Sequence, residues 1–334
     1  MNWNMIGHEW AVKLLKQHVI QGTQRQAYLI TGPESVGRRT LALRFAQAVN
    51  CLQPNEPGEP CLDCRTCRQI ERMVHPDLAV VEADRAGGQL KVDQIRGLQH
   101  GLSLAPYDAK YRIAILLRFE EANQQAANAL LKTLEEPPPQ VILILTAESA
   151  DQLLPTIVSR CEIIRLRPVP SGEIKENLQR NWQVPPAEAD LLTHLSSGRP
   201  GYTFQLYQNP GKLILRTTWL DELFNLLSAT RVERFEYAET MAKDTKALPE
   251  KLKVWLAFWR DVMLRSSGSS SQITNIDNQE IIDHLAINLG QKKAHKMVVA
   301  VEQIFNHIDH NVNPRLALEV FMLDLPNTKV SFSR

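Results

Sequence analysis

The sequence has no apolar run approaching the ~18 residues that a membrane-spanning helix requires, which argues against an integral membrane protein. It also has no surplus of charge. Its 38 Lys and Arg stand against 37 Asp and Glu, a net charge of +1. A strongly basic wrapper of nucleic acid is therefore not indicated, although local patches stay open. The opening stretch MNWNMIGHEWAVKLLKQHVIQ is amphipathic, not the charged-then-apolar pattern of a signal peptide, so a cytoplasmic location is expected. Cysteine is scarce at five residues, and four of them crowd into residues 51–67. That distribution excludes a disulfide framework spread along the chain and suits a reducing compartment.

What is present begins with the cysteine spacing, Cys51-x9-Cys61-x2-Cys64-x2-Cys67. Four thiolates surround one Zn²⁺ tetrahedrally at about 2.3 Å each, and short C-x2-C spacings let a tight turn present two ligands to one metal. A thioredoxin-type redox site calls for one C-x2-C at a strand-to-helix junction, not two that overlap. The spacing predicts a structural zinc whose four ligands leave no position for substrate. Cys161 lies far away in a different motif.

A length of 334 residues fits two or three domains. Trp10 to Ile20 has helical spacing, Ala27 to Thr31 (AYLIT) reads as a buried strand, and Thr40 to Asn50 returns to helical spacing. Further strands are predicted at Leu78 to Val81, Arg112 to Leu117 and Val141 to Thr146. Helices are predicted at Val92 to Leu102 and at Gln124 to Glu136, the latter stopped by Pro137 to Pro139. Strands alternating with helices predict a parallel sheet with crossover helices. Beyond Arg167, with boundaries at Pro168 and Pro170, everything reads as helical. Breaks at Asn209-Pro210-Gly211 and at the low-complexity loop Ser266 to Gln272 divide it further. The expected architecture is α/β followed by all-α. It comprises a P-loop-like domain (1–168) carrying the cysteine insertion, a small helical domain (169–211) and a helical tail (212–330).

Between the first strand and its helix lies GPESVGRRT, residues 32–40. Gly32 and Gly37 have the spacing of a phosphate-binding P-loop, in the strand–turn–helix context that such a loop needs. Yet Arg38 stands where the lysine belongs and Arg39 where the Ser or Thr should hold Mg²⁺. Thr40 does not rescue the motif, since one more helical residue turns its hydroxyl by about 100°. In RIAILLRFEEAN the strand should end in two acids, but Leu117 and Arg118 occupy those positions. Glu120 and Glu121 come too late and are expected to be solvated. Two parts of a Mg²⁺ site are thus missing, and autonomous ATP hydrolysis is not expected. Loop amides alone can still hold a phosphate or sulfate at a helix N-terminus.

The strings AANALLKTLEEPP (Ala126 to Pro138) and LLPTIVSRC (Leu153 to Cys161) resemble those of the AAA+ subunits of bacterial clamp loaders. The four-cysteine insertion, IGHEWAVKLLKQ near the start and NVNPRLALEVFMLDL (Asn311 to Leu325) agree with that family. The resemblance covers essentially the whole chain. Within the family it is nearest to the delta prime group of DNA polymerase III, whose own ATPase motifs are degenerate.

The resemblance implies an AAA+ domain, a helical lid and an oligomerisation collar. It also implies that Arg160, between Ser159 and Cys161, is an arginine finger. Such a finger reaches across a subunit boundary to ATP held by a neighbouring gamma/tau motor. The other implied partners are the delta subunit and, through the complex, the sliding clamp and primer–template DNA. Motor subunits carry an arginine three residues after the glycine that opens the lid motif. Here that position is Gly201, counted from Gly198, and Arg199 is out of place. Thr146 matches a sensor position, with a structural role equally open. The basic cluster Lys292, Lys293, His295 and Lys296 reads as a solvated helix face. Two further readings stay open: an ATP-hydrolysing gamma/tau-like motor, and a zinc-dependent nucleic-acid binder that acts alone.

Overall fold

The structure is a computed structural model that describes residues 3–85, 87–309 and 313–328. Asn311 and Val312 of the carboxy-terminal motif, the first two residues, and residues 329–330 of the tail lie outside the described residues. By internal contacts the chain falls into two compact units. One holds residues up to Trp182 together with Gly198–Tyr202, and the other holds Gln183–Ser197 and residues from Thr203 onward.

The first unit contains α1 (Glu9–Gln21), β1 (Ala27–Thr31), α2 (Arg38–Asn50), α3 (Arg65–Glu71), β2 (Leu78–Val81) and α4 (Val92–Leu102). It continues with β3 (Arg112–Leu116), α5 (Gln124–Glu135), β4 (Val141–Ala147), α6 (Pro155–Val158), β5 (Glu162–Arg165) and α7 (Ser171–Trp182). All five strands are parallel, in the order β2-β3-β4-β1-β5. The central strands are apolar on both faces because each face is covered by helices. Tyr28, Ile30, Ile113, Ile115, Ile142 and Ile144 pack with Leu15, Leu41 and Phe45 of α1 and α2. The alternate residues Leu29, Ala114, Leu116, Leu143 and Leu145 pack with Leu98, Ala126 and Leu130 of α4 and α5. This period of two within continuous apolar runs makes a three-layer α/β/α core.

Most elements of this unit that the sequence predicted match to within one residue at each end, and two features depart further. β5 was not expected, because EIIR is short and buries only Ile164 fully, too little for a pattern to register. Helix α2 begins at Arg38 rather than Thr40, since the Gly37 carbonyl already accepts from Leu41 N at 2.9 Å.

The second unit is helical throughout. Its helices are α8 (Pro186–Ser196), the later part of α9 (Pro200–Gln208), α10 (Gly211–Ser228), α11 (Arg231–Lys243) and α12 (Leu248–Ser266). They continue with α13 (Gln279–Asp309), interrupted at Gly290 (φ 68°, ψ 168°), and α14 (Pro314–Asp324). Trp255, Phe258, Trp259, Leu285 and Phe321 centre its core. Arg234 is buried and donates to the carbonyls of Leu226, Leu227, Met322, Leu325 and Pro326. It thereby satisfies orphan carbonyls at the ends of α10 and α14. No described helix is long and apolar enough to cross a membrane.

Candidate functional site

The loops that leave the carboxyl ends of β1, β3 and β4 lie at the end of the sheet where an open parallel sheet holds a ligand. Gly32 (φ 149°) and Gly37 (φ 120°) take backbone angles suited to glycine, and a Cβ on Gly32 would lie 2.6 Å from the Leu166 carbonyl oxygen. The loop is filled by the chain's own groups. His8 Nε2 lies 3.0 Å from the Val36 carbonyl oxygen, and the amide of Gly201 donates to the Ser35 carbonyl at 2.9 Å. A Cβ at Gly201 would approach that Ser35 oxygen to 2.8 Å, so no side chain fits there without displacing the loop. Arg199 stacks over Tyr202 instead, with its guanidinium 4.8 Å from the ring centroid.

Arg38 is buried at the first turn of α2, a turn with no acidic residue. A cation there opposes the positive end of the helix dipole. Glu120 answers it, Oε1 lying 3.8 Å from Arg38 Nη1, with both side chains largely buried. Burial pushes the Glu120 carboxyl up, and Arg38 opposes the shift. Arg118 sits in the left-handed region (φ 48°), its amide donating to Thr146 Oγ1 at 3.0 Å. Its guanidinium bonds Glu121 and Glu82, each at 3.0 Å. Glu120 and Glu121 are therefore not solvated, contrary to the sequence reading; Glu120 lies against Arg38 and Glu121 bonds Arg118. The exception is Arg39, which is exposed and donates to Met73 Sδ at 3.1 Å. Leu117 is buried, its amide bonded to the Val81 carbonyl.

Cys51, Cys61, Cys64 and Cys67 converge, their sulfurs all within 4.8 Å of one another. Sγ of Cys61 lies 3.5 Å from that of Cys51 and 4.0 Å from that of Cys67. These separations exceed a disulfide and bracket the ~3.8 Å edge of a tetrahedron with 2.3 Å metal–sulfur bonds. The amides of Cys61, Cys64 and Cys67 donate to the sulfurs of Cys51, Cys61 and Cys64 respectively. Burial pushes the Cys51 and Cys67 thiols up. At Cys64 burial is outweighed by the amides of Cys67 and Leu52, which bring the thiol down to about 7. The donor set fits Zn²⁺, which when bound supplies a cross-link and no open coordination position. Gln47 of α2 braces the cluster by donating to the Cys67 carbonyl at 2.8 Å. Trp3 donates to the Gly58 carbonyl and Lys16 to Glu59, which ties the insertion to the body of the unit.

Arg160 lies elsewhere, after α6, on a turn whose backbone is fixed by its amide donating to the Ile157 carbonyl at 3.1 Å. Its side chain is 35% exposed, with Nη1 donating to the Thr156 carbonyl at 2.8 Å and Nη2 to Glu135 Oε1 at 2.6 Å. It lines a cleft of about 410 Å³ together with Arg25, Leu134, Ser159, Cys161 and Glu162. Burial pushes the Cys161 thiol up to about 12.

The family description "DNA polymerase III, delta subunit" matches residues 7–170, and "DNA polymerase III, delta subunit, C terminal" matches residues 210–326. The DNA polymerase III subunit delta' of Pseudomonas aeruginosa is 30% identical over 291 residues, 86% of each chain. The chain belongs to the delta prime subunit family of DNA polymerase III. The Bacillus subtilis subunit delta' is 27% identical over 94% of each chain. The B. subtilis subunit tau is 33% identical over 201 residues, 58% of this chain and 35% of that one. The parallel-sheet α/β domain followed by a helical region is the AAA+-like architecture anticipated from the sequence.

Sequence reasoning gave no role to His8, Glu82 or Glu135. Glu135 lay within the quoted string LLKTLEEPP, but its pairing with Arg160, 25 residues on, is visible only in three dimensions. Lys292, Lys293, His295 and Lys296 are exposed, and Lys296 pairs with Asp324 at 2.7 Å.

Proposed function

We propose that this chain is the non-catalytic stator of a bacterial clamp loader working in the cytoplasm. In this reading it supplies Arg160 to ATP held by a neighbouring gamma/tau motor, touches the delta subunit on another side, and helps load the sliding clamp on primed DNA. The observation that carries the reading is a contrast between arginines. Arg38 is buried beside Glu120 at 3.8 Å without a hydrogen bond between them, and Arg118 is hydrogen-bonded to Glu121 and Glu82. Arg160, on a fixed turn, keeps a partly exposed guanidinium held by bonds a phosphate can replace.

Chemically, a guanidinium brought to a γ-phosphate stabilises the charge that develops during phosphoryl transfer. Supplying it from another subunit makes hydrolysis conditional on assembly. Residues 169–211 then serve as lid and 212–330 as collar. The collar assignment is supported by Leu316, Val320 and Leu323, which stand exposed at helical spacing on α14 while Leu318 and Phe321 are buried. The zinc site is structural. The motor reading finds no support in a site whose Mg²⁺-binding positions hold arginines.

The test is reconstitution of the loader with and without this chain at matched motor concentration. Clamp- and DNA-stimulated ATP turnover should require the chain, while the purified chain alone should show none above background. Turnover by the isolated chain would reverse the assignment in favour of a motor.

A further inference from the structure

We propose that Glu135 is a positioning residue that parks the Arg160 guanidinium until a partner's phosphate displaces it. This rests on the trans role of Arg160 argued above. Glu135 is the last residue of α5, and the run Pro137–Pro139 prevents the helix from continuing past it. A carboxylate at that end faces the negative pole of the helix dipole and is disfavoured unless a cation stands beside it. Arg160 is that cation, at 2.6 Å. The attraction is therefore mutual: withdrawing the guanidinium leaves Glu135 against the dipole, and withdrawing Glu135 leaves the guanidinium held by the Thr156 carbonyl alone.

The strength is suited to exchange. Glu135 is 50% exposed and Arg160 35% exposed, so the pair is worth only about 0–1 kcal/mol in water. A phosphate offers more charge and two oxygens to the planar fork of donors. Arg25, which lines the same cleft, has its Nε 3.4 Å from Glu162. Each guanidinium of the cleft thus has its own carboxylate, and an entering anion must replace one. Glu135 disfavours the extended finger when no triphosphate is present and yields when one arrives.

The experiment uses the assembled loader with Glu135→Gln, Arg160→Ala and the double variant. Two quantities are measured: affinity of this chain for the motor loaded with ATPγS or with ADP, and kcat for ATP. Glu135→Gln should tighten binding to the ATPγS-loaded motor by about 2–5-fold, equivalent to about 0.4–1 kcal/mol. It should leave binding to the ADP-loaded motor unchanged and kcat within about twofold. The double variant should match Arg160→Ala. Unchanged or weakened ATPγS-dependent binding in Glu135→Gln, with Arg160→Ala still deleterious, overturns the parking role and leaves the finger intact. If Arg160→Ala itself has no effect, the trans reading fails and the parking role with it.

Discussion

Arg38 and Glu120 face each other at 3.8 Å beneath the amino terminus of α2, a buried cation and a buried acid where a P-loop protein keeps a lysine and a phosphate. The carboxylate does for the helix dipole what a bound anion does elsewhere. Changing side chains in the loop alone leaves the rest of this arrangement in place. The double substitution Arg38→Lys with Arg39→Ser restores the two P-loop side chains but leaves Arg118 at the acid position and Gly201 seated on Ser35. ATP turnover by the isolated double variant is expected to stay at background. A rate clearly above that background would show the remaining obstacles to be irrelevant.

The four-cysteine cluster should hold one zinc per chain by metal analysis. Removing a ligand with Cys64→Ser, or stripping the metal with a chelator, should lower thermal stability and leave no new catalytic deficit that refolding with zinc cannot restore. A loss of about 2 kcal/mol lowers Tm by roughly 4–8 °C in a unit of this size, so a fall of several degrees is expected. A wild-type chain without zinc, or an unchanged Tm in Cys64→Ser, would contradict a structural zinc at this cluster.

Asp77 gives a pH signature of the fold. Its carboxylate is buried and accepts the amides of Tyr107, Asp108 and Ala109 at 2.7–2.9 Å, with Arg112 at 3.0 Å. Burial pushes the group up, but those four donors outweigh it and hold it at about 2. A folded pKa below the unfolded value of about 3.9 means the stabilisation is complete above pH ~4 and is lost as pH falls toward 2. The denaturation midpoints of wild type and Asp77→Asn should therefore differ most near neutral pH and converge below pH ~4. A difference that stays constant across that range would contradict this origin.

Much of the first unit was legible because its strands are continuous apolar runs and its helices carry clean period-3.6 stripes, as in Gln124–Glu135. The four cysteines were legible for a different reason: their spacing is local, so chain proximity alone brings the sulfurs together. The short strand Glu162–Arg165 was not, since one fully buried isoleucine leaves no periodicity to read. Glu120 and Glu121 were misjudged as solvated because a surface prior knows nothing of Arg38, 82 residues earlier in the chain. Charge pairing across the sheet ends is set by topology, and so are Gly201 on Ser35 and Glu135 on Arg160. No local pattern in the sequence encodes these contacts.

Arg160, in the proposed role, is the arginine that serves ATP, and one substitution addresses it. Arg160→Ala removes a partly exposed side chain from a turn held by backbone bonds, so the chain should fold and assemble. In the reconstituted loader, clamp-stimulated ATP turnover at the adjacent motor site should fall by on the order of 10³. The decisive measurement is that single-site rate, with assembly verified in the same sample. A fall of that order is the predicted result; an unchanged rate in a fully assembled complex contradicts the assignment.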